Sequence, residues 1–126
     1  TRDTSRSDLI NAAFNSVTYQ TKDIIDCLLR SGIEIESLNV DGGMVANKTF
    51  VQQIANLLNI EVSIPENSES TARGVAVLAG VASKTFDLKL ISNQKRASIH
   101  PNKEAHNFMS KDYKNWKGLI TKLLSL

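Results

Sequence analysis

A chain of 126 residues has the size of a single domain, because one hydrophobic core serves roughly 100 to 200 residues before a chain divides. Its 41% hydrophobic and 22% charged residues, with six glycines and two prolines, exclude a disordered or collagenous chain. The single cysteine, Cys27, cannot close an internal disulfide, and no Cys/His set has zinc-finger spacing. The longest small or apolar run, Gly74 to Ala82, is far short of the roughly 20 residues that span a bilayer. With no apolar signal region at its start, the chain reads as cytoplasmic, with no membrane span.

The chain enters a helix almost at once. Ser7 is expected as its N-cap, and Ile10, Phe14, Val17, Ile24 and Leu28 recur at spacings of three, four and seven that predict one apolar stripe as far as about Arg30. Cys27 is expected on that helix as a core thiol. Gly32 stands where a left-handed C-terminal cap wants no β-carbon, and Leu38 and Val40 mark a strand over Ser37 to Asp41. Gly42 and Gly43 follow, then a helix carried by Phe50, Val51, Ile54, Leu57 and Leu58. Val62 and Ile64 alternate with Glu61 and Ser63 up to Pro65, which reads as a second strand and completes a βαβ unit with parallel strands.

Ser68 or Ser70 can cap a third helix, whose small residues Ala72, Gly74, Ala76, Ala79 and Gly80 predict close packing against a neighbour. Asn93 to Asn102, with Pro101, reads as a loop, and Tyr113, Trp116, Leu119, Ile120 and Leu123 form the stripe of a last helix. The expected class is therefore α/β, with two parallel strands and about four helices. Two strands alone leave both backbone edges unpaired, which together with the absent initiator methionine predicts a piece of a longer chain.

Charge is divided unevenly. Residues 1–83 carry six Lys or Arg against ten Asp or Glu, whereas residues 84–126 carry nine against three. The basic lysines, Lys84, Lys89, Lys95, Lys103, Lys111, Lys114, Lys117 and Lys122, are spread rather than clustered, and only Tyr113 and Trp116 could stack on bases. That pattern is a solvated face, and no nucleic-acid partner is expected.

The chemistry is concentrated at Asp41-Gly42-Gly43-Met44-Val45-Ala46-Asn47. Two residues without β-carbons let backbone N–H groups approach a phosphate at the start of a helix. Asn47, about one turn into that helix, carries a donor and an acceptor matched to the edge of an adenine ring. A Gly-Gly between strand and helix also serves as a bare turn, and the local sequence leaves both readings open. Asp41 is expected to accept local backbone hydrogen bonds rather than to act as a base or metal ligand. His100 and His106 lack a partnered nucleophile or further ligands, the Asn47-Lys48-Thr49 sequon falls on a helix, and no P-loop is present.

The run Ser31 to Met44, continued by Ala46-Asn47, Phe50, Gln53 and Ile54, resembles the adenosine-binding segment of the glycerol kinases in the FGGY carbohydrate-kinase family. Ser7-Asp8-Leu9-Ile10 with Ala12-Ala13-Phe14 is similar to the tail of that family's second signature, with Asn15 where an acidic residue or Gln is usual. Val62, Pro65, Glu69, Thr71-Ala72, Gly74, Ala76 and Leu78-Ala79-Gly80 resemble its strand and Thr-Ala-Leu-Gly-Ala-Ala helix, and Tyr113, Trp116-Lys117 and Ile120 its Tyr…Trp-Lys close. Arg73 replaces an apolar residue, and the link from Ser83 to Ile91 is short and lacks a tryptophan, so the chain resembles a divergent member.

The resemblance implies a two-domain, ribonuclease-H-like (actin/hexokinase-like) kinase with ATP, carried with Mg2+, in the cleft between domains. Residues 1–126 would be its truncated C-terminal nucleotide-binding domain, with Gly43 facing the phosphates and Asn47 near adenine, and Gly42 joins them as a candidate through the chemistry of the glycine pair. The N-terminal polyol-binding and catalytic domain would lie upstream, leaving this part inactive alone. For the parent, a homo-oligomer, the resemblance implies ATP and ADP as partners and glycerol as the substrate phosphorylated. A kinase for another polyol or sugar, or a non-catalytic module binding a protein through the small-residue helix or the Trp116 region, are the alternatives.

Overall fold

The computed structural model describes residues 2–66, 69–85 and 96–125. In chain order these form α1 (Arg6–Arg30), β1 (Ser37–Asn39), a 3-10 turn (Gly43–Ala46), α2 (Lys48–Leu58), β2 (Glu61–Pro65), α3 (Ser70–Ala82), β3 (Arg96–Ile99) and α4 (Lys103–Leu124). Ser68, Lys89, Ile91, Asn93 and Lys95, which figure in the sequence reading, lie outside the described residues.

The helix ends follow local chemistry. α1 begins two residues earlier than Ser7 predicts, because Ser5 and Asp8 form a reciprocal capping box: Asp8 N–H donates to Ser5 Oγ at 3.2 Å and Ser5 N–H to Asp8 Oδ2 at 2.8 Å. The Ser5 N–H, and after it the Ser5 hydroxyl, which donates to the same Oδ2 at 2.7 Å, hold the Asp8 carboxyl below its ordinary range. At the other end Gly32 adopts φ +82°, and the Gly32 and Ile33 N–H groups close on the Leu29 and Leu28 carbonyls as the sequence predicts. Asn102 caps α4 by accepting from Ala105 N–H at 3.0 Å. α3 follows Glu69, and Ser70 is its first residue rather than its cap.

β1 and β2 pair in parallel, with Leu38 opposite Val62, as the βαβ reading requires. The sheet differs from that reading in having a third strand. β3 pairs antiparallel to β2, Ile99 opposite Val62 and Arg96 opposite Pro65, so β2 is central and Val62 is fully buried. Arg96 to Ile99 lies inside the stretch expected as a loop; four residues with one inward apolar side chain carry too little periodicity to announce a strand, and its pairing with β2 supplies the rest. β1 also ends sooner than predicted, its last ladder bond being Val40 N–H to the Ser63 carbonyl at 3.0 Å.

α2 is the centre of the molecule. Seven of its residues are buried, and Phe50, Val51, Ile54 and Ala55 pack with Ile25 of α1, Val45 and Val62. Its opposite side presents Leu57 to Tyr19 and Tyr113, with the Trp116 ring tilted against Tyr19 at 5.3 Å and stacked on Tyr113 at 6.1 Å. Fully buried Val51, Leu57 and Val62 each contribute about 1.5–3 kcal/mol of hydrophobic stabilisation. Trp116 is thus a packing residue of α4.

Several apolar stripes face elsewhere than periodicity alone predicts. On α1 the inward residues are Phe14, Thr18, Tyr19 and Ile25, while Ile10, Val17, Ile24 and Leu28 are exposed, so packing against α2 selects a face rotated from the expected one. Cys27 rotates out with them and is exposed, not a core thiol. Leu119 and Leu123 are exposed on α4. α3 departs most: Val75 and Leu78 are exposed and a β-carbon added at Gly74 would meet nothing within 4 Å, so among the described residues the close packing expected of its small residues is not made at Gly74, while Gly80 is buried.

Candidate functional site

Both parallel strands deliver their C-terminal ends to one edge of the sheet, the position at which open α/β sheets bind ligands. Immediately beyond β1 comes the glycine turn. Asp41 Oδ1 accepts the Gly42 N–H at 2.7 Å, Gly42 takes φ +103°, and the chain then winds through the 3-10 turn, with Val45 N–H on the Gly42 carbonyl at 3.1 Å. Only glycine adopts that Gly42 backbone without strain. Gly43 has an unremarkable φ, and a β-carbon added there would meet nothing within 4 Å. Both glycines therefore border open space. The first N–H groups of the turn, at Gly43 and Met44, have no acceptor within it.

Asn47 stands at the far end of the turn. It is the N-cap of α2, not a residue one turn inside it: its Oδ1 accepts Phe50 N–H at 3.2 Å. The cause is the intervening 3-10 turn, which takes up Gly43 to Ala46 before α2 begins. The side chain still has chemistry to spare, because an amide oxygen has a second lone pair and the Nδ2 group two donors.

Asp41 plays the local role expected of it and a wider one. Its carboxyl is held below the usual range first by a hydrogen bond from the Ser70 hydroxyl, then by the Gly42 N–H, with the Arg96 charge adding to both against a small opposing burial effect. Asp41, Ser70 and Arg96 line one cleft of about 200 Å³ with Asn39, Val40 and Pro65. Ser70 and Arg96 were not singled out for this site by sequence; the first reads only as a helix start and the second as part of a loop. A neighbouring hollow of about 280 Å³ runs along the turn itself, from Val40 and Gly42 to Phe50.

The remaining candidates lie elsewhere. His106 Nδ1 is 2.9 Å from the Asn56 carbonyl, which can only accept, so the ring donates there and ties α4 to the end of α2. His100 is exposed, 3.9 Å from Glu61. The larger groove of about 590 Å³ between α1 and α4 holds His106, Lys111 and Lys114, with Lys22 already paired to Asp26 at 2.6 Å, and it includes none of the turn. Among the described residues no group of three His, Cys, Asp or Glu could hold a metal, and no helix is long and apolar enough to cross a membrane.

The chain is similar to known proteins in sequence and in fold. Residues 1–83 match the FGGY family of carbohydrate kinases, C-terminal domain. The chain is 48% identical over 81 residues to a glycerol kinase of Marinomonas sp., covering 64% of this chain and 16% of that one. Its fold matches a xyloylose kinase from Brucella ovis with a TM-score of 0.85 and 25% identity over 99% of this chain and 26% of that one. It matches a Plasmodium falciparum glycerol kinase solved with ADP with a TM-score of 0.73 and 27% identity, over 97% of this chain and 25% of that one. The chain thus spans about a quarter or less of the kinases it matches. With residues 1–83 matching the family model and the fold matching two kinases, this chain belongs to the FGGY family of carbohydrate kinases, within the C-terminal domain.

Proposed function

We propose that this chain is the C-terminal nucleotide-binding part of an ATP-dependent glycerol kinase, whose full-length form converts glycerol and ATP to glycerol 3-phosphate and ADP. The observation that carries the reading is the turn at the end of β1: two glycines lining the hollow of about 280 Å³, followed by Asn47 with amide capacity left over after capping α2. Gly42 and Gly43 let the backbone approach the phosphates of ATP, and Asn47 offers a donor and an acceptor to the adenine edge. The ADP of the Plasmodium enzyme supports the same class of ligand.

The described residues do not fit a resident magnesium site, since Asp41 is one carboxylate that already accepts the Gly42 N–H and no group of three carboxylates or histidines stands near it. Mg2+ is assigned to the phosphates of ATP itself, its usual mode of binding. This chain holds and orients the nucleotide; the group that deprotonates the acceptor hydroxyl and the polyol-binding residues belong to the remainder of the parent, a cytoplasmic homo-oligomer, and the chain alone transfers no phosphoryl group. The likeness to a xyloylose kinase favours one second reading, a parent acting on a sugar.

Phosphoryl transfer from ATP to glycerol and to a panel of polyols and sugars, by the full-length protein, tests both. Turnover on glycerol that collapses in Gly43→Val and shows a raised KM for ATP in Asn47→Ala is the expected result. Turnover only on a sugar selects the second reading, and a folded parent that neither turns over nor binds ATP overturns both.

A further inference from the structure

The groove of about 590 Å³ between α1 and α4 shares no residue with the glycine turn or the hollow beside it. Three ammonium groups face it, from Lys22, Lys111 and Lys114, against the one carboxylate of Asp26. Both oxygens of that carboxylate are taken: Oδ1 accepts Lys22 Nζ at 2.6 Å and Oδ2 the Tyr113 hydroxyl at 3.3 Å. Lys111 and Lys114, neighbours one turn apart on α4, enter no ion pair among the described residues. The groove therefore holds a surplus of positive charge.

A directed donor stands beside that charge. His106 Nδ1 donates to the carbonyl of buried Asn56 at 2.9 Å, which fixes the ring and, in the neutral imidazole, leaves Nε2 without a hydrogen. The Ser110 hydroxyl donates to this nitrogen over 3.4 Å, a long contact that a charged acceptor readily replaces. We propose that the groove is a second ligand site, for a phosphate-class oxyanion: Lys111 and Lys114 supply the charge and Ser110 the directed hydrogen bond. Two ammonium groups and a hydroxyl match the three or more acceptor oxygens and double charge of a phosphate, free or as a monoester. They match the two oxygens and single charge of a carboxylate less well. The site touches no part of the glycine turn and stands apart from the nucleotide reading.

The test titrates the full-length protein by calorimetry with sodium phosphate, phenyl phosphate and sodium acetate. Ionic strength is held constant, and ADP and glycerol are in excess to occupy the proposed kinase cleft. Phosphate or its monoester is expected to bind and acetate is not; the tighter of the first two tells whether the site takes the free ion or an ester. Ser110→Ala is expected to weaken that binding about tenfold, as for one lost hydrogen bond to a charge, and the Lys111→Gln, Lys114→Gln double variant further still. Lys122→Gln, on the same helix but outside the groove, keeps wild-type affinity. Thermal midpoints are read beside each titration, and Ser110→Ala decides alone where the double variant is not folded. Absence of phosphate and phenyl phosphate binding by the wild-type protein overturns the inference, as does wild-type affinity in Ser110→Ala. Acetate binding as tightly as phosphate, or a loss in Lys122→Gln equal to that of the groove variants, overturns it too, since unspecific charge would give either.

Discussion

Tyr113 of α4 donates its hydroxyl hydrogen to Asp23 Oδ1 of α1 at 2.5 Å, across 90 residues of sequence, and Lys117 Nζ meets the same oxygen. The Tyr113 ring meanwhile lies 5.7 Å from Tyr19 and 6.1 Å from Trp116. One side chain thus makes both an apolar and a polar attachment of the last helix. Tyr113→Phe keeps the ring and deletes the hydroxyl, and is expected to lower stability by about 1 kcal/mol in chemical denaturation. Lys117→Met, at an exposed ion pair, is expected to cost less.

The same cluster sets a pH dependence at both extremes. The hydrogen bonds from Lys117 and then Tyr113 lower the Asp23 pKa, so its contribution is present above the ordinary carboxylate range and is lost as pH falls through the depressed folded value. Burial, followed by the Asp23 bond, pushes Tyr113 from 10.0 up to about 12, so its contribution is complete below pH 10 and is lost as pH rises toward 12. Thermal midpoints measured across pH should fall at both ends. Tyr113→Phe should flatten the alkaline fall, and Asp23→Asn the acidic one.

The two glycines of the turn should separate under substitution. Gly42→Ala places a β-carbon on a backbone at φ +103° and is expected to cost about 1–3 kcal/mol of stability. Gly43→Ala meets open space at an ordinary φ and should leave unfolding unchanged. Under the nucleotide reading, Gly43→Val nevertheless loses ADP, because the new side chain fills the approach to the phosphates. Unfolding curves paired with ADP titrations of the full-length protein distinguish these effects.

Asn47 carries two duties that two substitutions divide. Asn47→Asp retains the oxygen that caps α2, so stability should hold, while the amide donors are lost and ADP affinity falls. Asn47→Ala removes both and should cost about 1 kcal/mol as well as affinity. A fall in ADP affinity for Asn47→Ala that Asn47→Asp does not share would assign Asn47 to the helix alone.

At the junction of α2 and α4, buried Asn56 accepts Gln52 Nε2 and the Asn102 N–H through Oδ1, each at 2.9 Å, while its carbonyl takes His106. Asn56→Ala strands the Asn102 N–H at the start of α4 and is expected to destabilise by about 1–3 kcal/mol. Hydrogen exchange should show the first turn of α4 losing protection before the rest of that helix.

Local rules reached far in this chain. The Gly32 cap, the βαβ order with parallel strands, the buried face of α2 from Phe50 to Leu58, and the local bond from Gly42 to Asp41 all follow from interactions within a few residues, and each is legible in the sequence. Asn47 was legible as a residue of interest but not as a cap, because nothing in its neighbours announces the 3-10 turn that delays α2. The capping box at Ser5 was overlooked although its Ser-x-x-Asp spacing is written in the sequence.

What only the tertiary structure decided depends on partners distant along the chain. A helix stripe fixes a period but not which of two adjacent faces turns inward, so Ile25 rather than Ile24 entered the core when α1 met α2. β3 became a strand because β2 had an edge to pair, and Ser70 joined the site because α3 begins where β1 ends. The four helices, the two parallel strands and the glycine turn are legible along the chain, since they rest on hydrophobic periodicity, backbone sterics and short-range hydrogen bonds. The third strand, the chosen faces and the placing of Ser70 and Arg96 beside Asp41 arise from contacts between residues far apart in sequence, which only the folded chain brings together.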